Sequence, residues 1–191
     1  MSFPVVLDTC VLLPISVADL VLRLAEAKLF RVLWSEEILG ELERNLVAKI
    51  NLEREAAARR LRFMRQAFPD ALVENHQALI DSMMCDEKDR HVLAAAVRSN
   101  AELIVTSNLK DFPPASTEPY DIEAISPDEF LLDQLDLFPV VVLRCLEEQA
   151  AAYRDPRLSV DGLVAQLAKC GLVQFTAEVI RRQTLKGVKP H

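Results

Sequence analysis

Glycine is scarce in this sequence: four in 191 residues, too few for a glycine-rich phosphate-binding loop. Cysteine is as rare. Cys10, Cys85, Cys145 and Cys170 form no CxxC pair, so neither a zinc site nor a disulfide framework is spelled out. They read as free thiols in a reducing cytoplasm. No run of about 20 apolar residues is present, so no membrane span is expected. The opening stretch MSFPVVLDTCVLLP lacks a basic n-region and Asp8 breaks its apolar run, so it does not read as a signal peptide. With 51% apolar and 27% charged residues, the composition excludes disorder and collagen-like classes.

Basic residues are missing altogether from one block. Residues 111–143 hold eight acids and no Lys or Arg. The first 110 residues hold 14 basic and 16 acidic residues, and 144–191 hold 8 and 5. The net charge of -7 argues at first against nucleic acid. The partition weakens that argument, because Arg44, Lys49, Arg54, Arg59, Arg60, Arg62 and Arg65 face only Glu53 and Glu55 between residues 44 and 65. These seven could track an RNA backbone, or could be a solvated helix face. Trp34 and the phenylalanines read as core rather than base-stacking platforms.

Strand and helix signals alternate up to about residue 125. Pro4–Asp8 is an apolar run ending in an acid, and 31–34 and 103–106 are two more buried-strand patterns. A shorter strand is expected around 122–125. Ser16 with Asp19 reads as a capping box opening a helix. Ser35 reads as the cap of a second helix, with Ile38, Leu42 and Leu46 on its buried side. The stretch 52–67 is helical by composition, and another helix begins at Asp89. The alternation implies an α/β fold, a parallel sheet flanked by helices, as one domain over 1–125. Residues 126–191 read as a C-terminal all-α appendage of four helices, beginning at Ser126-Pro127.

Acids fall at telling places on this scaffold. Asp8 ends the first strand, Glu41 lies at the edge of a buried helix face, and Asp86 and Asp89 sit at the N-terminus of a helix. Asp111 follows the last strong strand. Each has a plainer reading as a turn former, a cap or a solvated charge. Together they would converge on the rim at the carboxyl ends of the strands, where open α/β sheets bind ligands. Such a cluster repels itself unless a divalent cation neutralises it. Oxygen donors without a His or Cys cluster select Mg2+ or Mn2+ over zinc. That set suits phosphodiester hydrolysis. His91, two residues past Asp89, falls on another helix face, and Cys10 reads as packing near the rim.

The segments Val6–Leu12, Ser35–Leu42, Asp86–Ala96 and Ile104–Phe112 resemble, in order and spacing, the PIN-domain family. They look most like its VapC-type toxin ribonucleases, and the resemblance covers residue 3 to about 125. It implies a PIN-like fold and an Mg2+- or Mn2+-dependent endoribonuclease, the toxin of a type II toxin–antitoxin pair. Its acids would be Asp8, Glu41, Asp89 and a fourth from 106–112. Asp86 would support the metal, with Thr106, Ser107 and Asn108 near the cleft. Where this chain has Asn108 many members have Asp, and others use the Asp three residues on. The second pattern favours Asp111. The C-terminal helices resemble the extra region of a longer VapC-like subgroup.

The resemblance further implies RNA as substrate, a cognate antitoxin as partner and a homodimer. Two alternatives stay open: a housekeeping PIN-like ribonuclease and a non-catalytic RNA- or protein-binding module. A phosphatase using Asp8 as nucleophile is disfavoured, because Cys10 stands where that class needs a second acid.

Overall fold

The computed structural model describes residues 3–187, with side chains through residue 184. The first part of the chain runs β1 (Pro4–Leu7), α1 (Thr9–Leu12), α2 (Ile15–Glu26), β2 (Arg31–Leu33), α3 (Glu36–Ala48) and α4 (Arg54–Ala67). Then come α5 (Arg90–Ser99), β3 (Leu103–Val105), α6 (Pro114–Thr117) and β4 (Glu123–Ile125). Four helices finish the described chain: α7 (Pro127–Leu137), α8 (Pro139–Ala152), α9 (Val160–Lys169) and α10 (Val173–Gly187). Short 3-10 turns cover Glu87–Asp89 and Leu109–Asp111. Among the described residues no helix is long and apolar enough to cross a membrane.

All four strands are parallel, in the order β2-β1-β3-β4. Val5, Val6 and Leu7 are completely buried, as expected for a central parallel strand covered on both faces. Val6 pairs with Leu33 on one side and with Ile104 on the other. From β1 the chain moves outward to β2, then returns to β3 on the opposite flank. The strand order therefore reverses between β1 and β3. Such a switch point opens a crevice at the carboxyl ends of the two strands. Asp8 and Thr106 are the first residues past those ends.

Local chemistry sets the helices around this point. The Ser35 hydroxyl accepts from the Ile38 amide at 3.3 Å, so it caps α3. Ile38, Leu42 and Leu46 are fully buried, which fixes how α3 is turned. Helix α5 packs on β1 and β3. It closes on Asn100 in the left-handed region (φ 50°), which Asn tolerates, and the Ala101 amide returns to the Ala96 carbonyl at 2.9 Å.

The chain forms two compact units. One takes the residues up to Leu13 together with Phe30–Ser126, and the other takes Pro14–Leu29 together with the chain from Pro127 onward. Helix α2 thus belongs to the same unit as the C-terminal helices, although it lies between β1 and β2 in sequence. Its apolar residues Val17, Leu20, Val21 and Leu24 are buried, and it packs on α8 and α9. The buried Gln149 side chain donates to the Ser16 carbonyl at 2.9 Å. The expected capping box at Ser16 and Asp19 is not formed. Pro14 holds the N-cap position, Ser16 is buried inside the first turn, and Asp19 pairs with Arg23 at 3.1 Å.

A long-range cap holds the second unit. Asp128, at the start of α7, accepts from the amides of Gln174 and Phe175 at 3.0 and 2.9 Å, in the first turn of α10. It satisfies two otherwise orphaned donors and complements the helix dipole. Asp128→Ala should lower the unfolding free energy by about 1 kcal/mol, the ordinary worth of a cap. A urea titration followed by circular dichroism measures this, and an unchanged midpoint would contradict the assigned cap.

Candidate active site

Asp8 lies one residue past β1, buried to 4% exposure. Its backbone amide donates to the Val105 carbonyl at 3.1 Å, which locks it to the end of β3. Its Oδ2 accepts from the Thr106 hydroxyl at 2.7 Å and from the Cys10 thiol at 3.0 Å. Thr106 is itself fully buried and pinned to β4 through its amide and the Ile125 carbonyl at 3.0 Å. The Asn108 amide donates to Thr106 Oγ1 at 3.0 Å, and the Ser107 amide to Cys10 Sγ at 3.2 Å. One Asp8 oxygen is thereby oriented by two neutral donors. Burial and the neighbouring Asp8 push the Cys10 thiol up to about 11, so it stays protonated and donates. A phosphatase of the aspartyl-nucleophile class would need a titrating acid at that position, and none is there.

Asp86 and Asp111 come together by backbone pairing. The Asp86 amide donates to the Asp111 carbonyl at 3.3 Å. The Asp86 carboxylate accepts from the Lys88 amide at 3.1 Å, capping the turn that ends in Asp89. Asp89 then takes the N-cap position of α5. Burial and the charges of Asp8, Asp111 and Asp86 push the Asp89 carboxyl up to about 6, against the opposing pull of His91. The Cys85 thiol, raised to about 11 by burial first, feels Asp89, Asp86 and Asp111 as well. Asp8, Asp111 and Asp86 therefore all act on Asp89.

Glu41 reaches the group from α3. The Thr9 hydroxyl sits between Glu41 Oε2 (3.1 Å) and the Ile38 carbonyl (3.2 Å). Glu41 Oε1 stands 3.3 Å from His91 Nε2. Contact with His91 holds the Glu41 carboxyl below the usual range, outweighing burial. Burial works against a charged His91, but Glu41 outweighs it and raises the imidazole. His91 thus meets Glu41, although its place two residues past Asp89 put it on another helix face. Helix α5 begins at Arg90, so Asp89 precedes the helix and helical spacing from it misplaces His91. Thr9 and His91 are the residues that sequence reasoning missed. The Thr9–Glu41 and His91–Glu41 contacts join residues far apart in the chain, so no local signal reveals them.

Residues 4–110 match the family model described as PIN domain. That is more than half of the sequence. The chain belongs to the PIN-domain family. Residues 127–181 match a second model, the VapC50 C-terminal domain. A Mycobacterium tuberculosis (strain ATCC 25618 / H37Rv) protein named "Putative ribonuclease VapC50" is 44% identical over 111 residues, covering 58% of this chain and 65% of that protein. The match thus spans just under two thirds of that relative's length. No solved structure matches the chain.

The donor set of this PIN domain suits a hard divalent cation. Among the described residues, no Lys or Arg forms an ion pair with Asp8, Asp86, Asp89 or Asp111. Asp8 is buried, and a buried carboxylate calls for a positive partner. No three His, Cys, Asp or Glu among the described residues are gathered into a ready cage.

The basic stretch divides. Arg60 is half-buried and donates to the Leu12 carbonyl at 2.8 Å, and Arg65 pairs with Glu36 at 2.7 Å. Arg44, Lys49, Arg54, Arg59 and Arg62 are exposed. Trp34, Phe30, Phe130 and Phe175 are core, as expected, but Phe63 is 62% exposed inside the basic run.

Asp89 gives a signed pH dependence. Its folded pKa of about 6 lies above the ordinary value of 3.8. The folded state therefore binds more protons between those values, and stability falls as pH rises through that window. The metal-free protein should melt lower at pH 7 than near pH 4 by this contribution. Asp89→Asn should flatten that part of the profile, and thermal melts in EDTA measure it. A profile identical to the parent's would contradict the raised Asp89.

Proposed function

We propose that this PIN protein is a divalent-metal-dependent endoribonuclease, the toxin of a toxin–antitoxin pair. The observation that carries this is the oriented, buried Asp8 beside a repelling Asp89, with Asp86 and Asp111 adding charge. Asp8, Asp86, Asp89 and Asp111 would hold Mg2+ or Mn2+. When bound, such an ion lowers the pKa of a water and stabilises charge developing on phosphate oxygens. Thr106 and Cys10 keep Asp8 in one rotamer. Glu41, held ionised by His91 and Thr9, would orient the attacking water and accept its proton.

The relative's name and the matched family support RNA as the substrate. The exposed Arg44, Lys49, Arg54, Arg59 and Arg62 would supply sequence-independent phosphate attraction. The reading carries with it a cognate antitoxin and a homodimer. The free thiols of Cys10, Cys85, Cys145 and Cys170 fit a cytoplasmic setting.

The test is cleavage of single-stranded RNA by the full chain in Mg2+. EDTA should stop cleavage and added Mg2+ should restore it. Asp8→Asn and Asp89→Asn should each slow it by about a hundredfold or more. Both variants cutting as fast as the parent would overturn the assigned site.

A further inference from the structure

Helix α4 has an outer face that the carboxylate cluster does not use. The helix buries Ala57, Leu61 and Met64 as one stripe. Its opposite side presents Arg59, Arg62, Phe63 and Gln66, all exposed. Phe63, at 62% exposure, is the most exposed aromatic among the exposed large apolar side chains. Arg59 lies one turn before Phe63, so the two are surface neighbours, and Arg62 is beside them. The helix carries five arginines and a single acid, Glu55, one turn before Arg59. Two of those arginines have structural work: Arg60 ties α4 to the end of α1, and Arg65 pairs with α3. Arg59 and Arg62 are left on the outer face with Phe63.

We propose that this face binds single-stranded RNA, with Phe63 stacking on an unpaired base and Arg59 and Arg62 on the flanking phosphates. The cationic charge selects an anionic partner. The exposed planar ring selects one with accessible π faces, which a duplex hides and a single strand offers. Stacking of this kind is tolerant of sequence, because every base has such a face. An acidic protein segment would answer the arginines but would have no need of an aromatic ring over another apolar side chain. Arg60 fixes this face to α1, which starts one residue after Asp8, so strand-binding and carboxylate elements share one unit. The inference rests on the RNA reading above and adds a place where the strand is held.

The experiment is fluorescence anisotropy of a labelled oligouridylate with the full chain in EDTA, where cleavage is stopped. Phe63→Ala should weaken binding about tenfold, within the range known for one stacked base. Phe63→Tyr should restore it and Phe63→Leu should not. Phe63→Trp should show quenched emission on binding, since native Trp34 is fully buried. The double variant Arg59→Gln, Arg62→Gln should lower the slope of log affinity against log salt by about 1.4, two single-strand phosphates' worth. Binding unchanged in Phe63→Ala, or Leu serving as well as Phe, overturns this face while the carboxylate site and its cleavage test stand. A parent chain that binds no oligouridylate overturns both this inference and the RNA reading.

Discussion

Asp8 is a buried carboxylate whose side-chain donors among the described residues are a hydroxyl and a thiol, and its charge, with those of Asp111 and Asp86, bears on Asp89. Like charges at such range cannot all ionise without cost. Asp89 shows the cost, with a carboxyl raised to about 6 by burial first and then by these charges. The scaffold supplies what holds these groups together. A parallel sheet with its switch point between β1 and β3 puts the residues after both strands at one rim. The Asp8–Val105 and Thr106–Ile125 backbone bonds fix that rim, and the Asp86–Asp111 pairing closes it from the other side. Packing energy spent on the sheet is what keeps the repelling acids in place.

Much of this could be read in the sequence, for identifiable reasons. Val5-Val6-Leu7 and Ile104-Val105 are apolar runs with no other stable use, and each ends in a residue that must face the rim. The caps at Ser35 and Asp86 are local, so their patterns are visible. Less visible were interactions whose partners are far apart. Thr9 and His91 meet Glu41 across three elements, and α2 takes its place with the C-terminal helices because its apolar side matches α8 and α9. Ser16 failed as a cap because Pro14 had already started the helix. Phe63 reads as core like the other phenylalanines, since composition cannot tell an inward ring from an outward one.

Charge bookkeeping also changes once positions are known. The net charge of -7 combines an acidic block at 111–143, a carboxylate cluster and a basic helix face. These are separate features. The cluster concentrates negative charge at the strand ends, while α4 turns Arg59 and Arg62 outward. A polyanionic substrate could approach the second, and a divalent ion, if bound at the first, would offset the charge there.

In the proposed reading a divalent cation relieves the repulsion among these acids. The most direct test is the carboxyl pKa of Asp89, followed by 13C NMR with and without saturating Mg2+. The carboxyl should titrate at about 6 without the ion and fall below the ordinary 3.8 with it. A value that stays near 6 in saturating Mg2+ would contradict it.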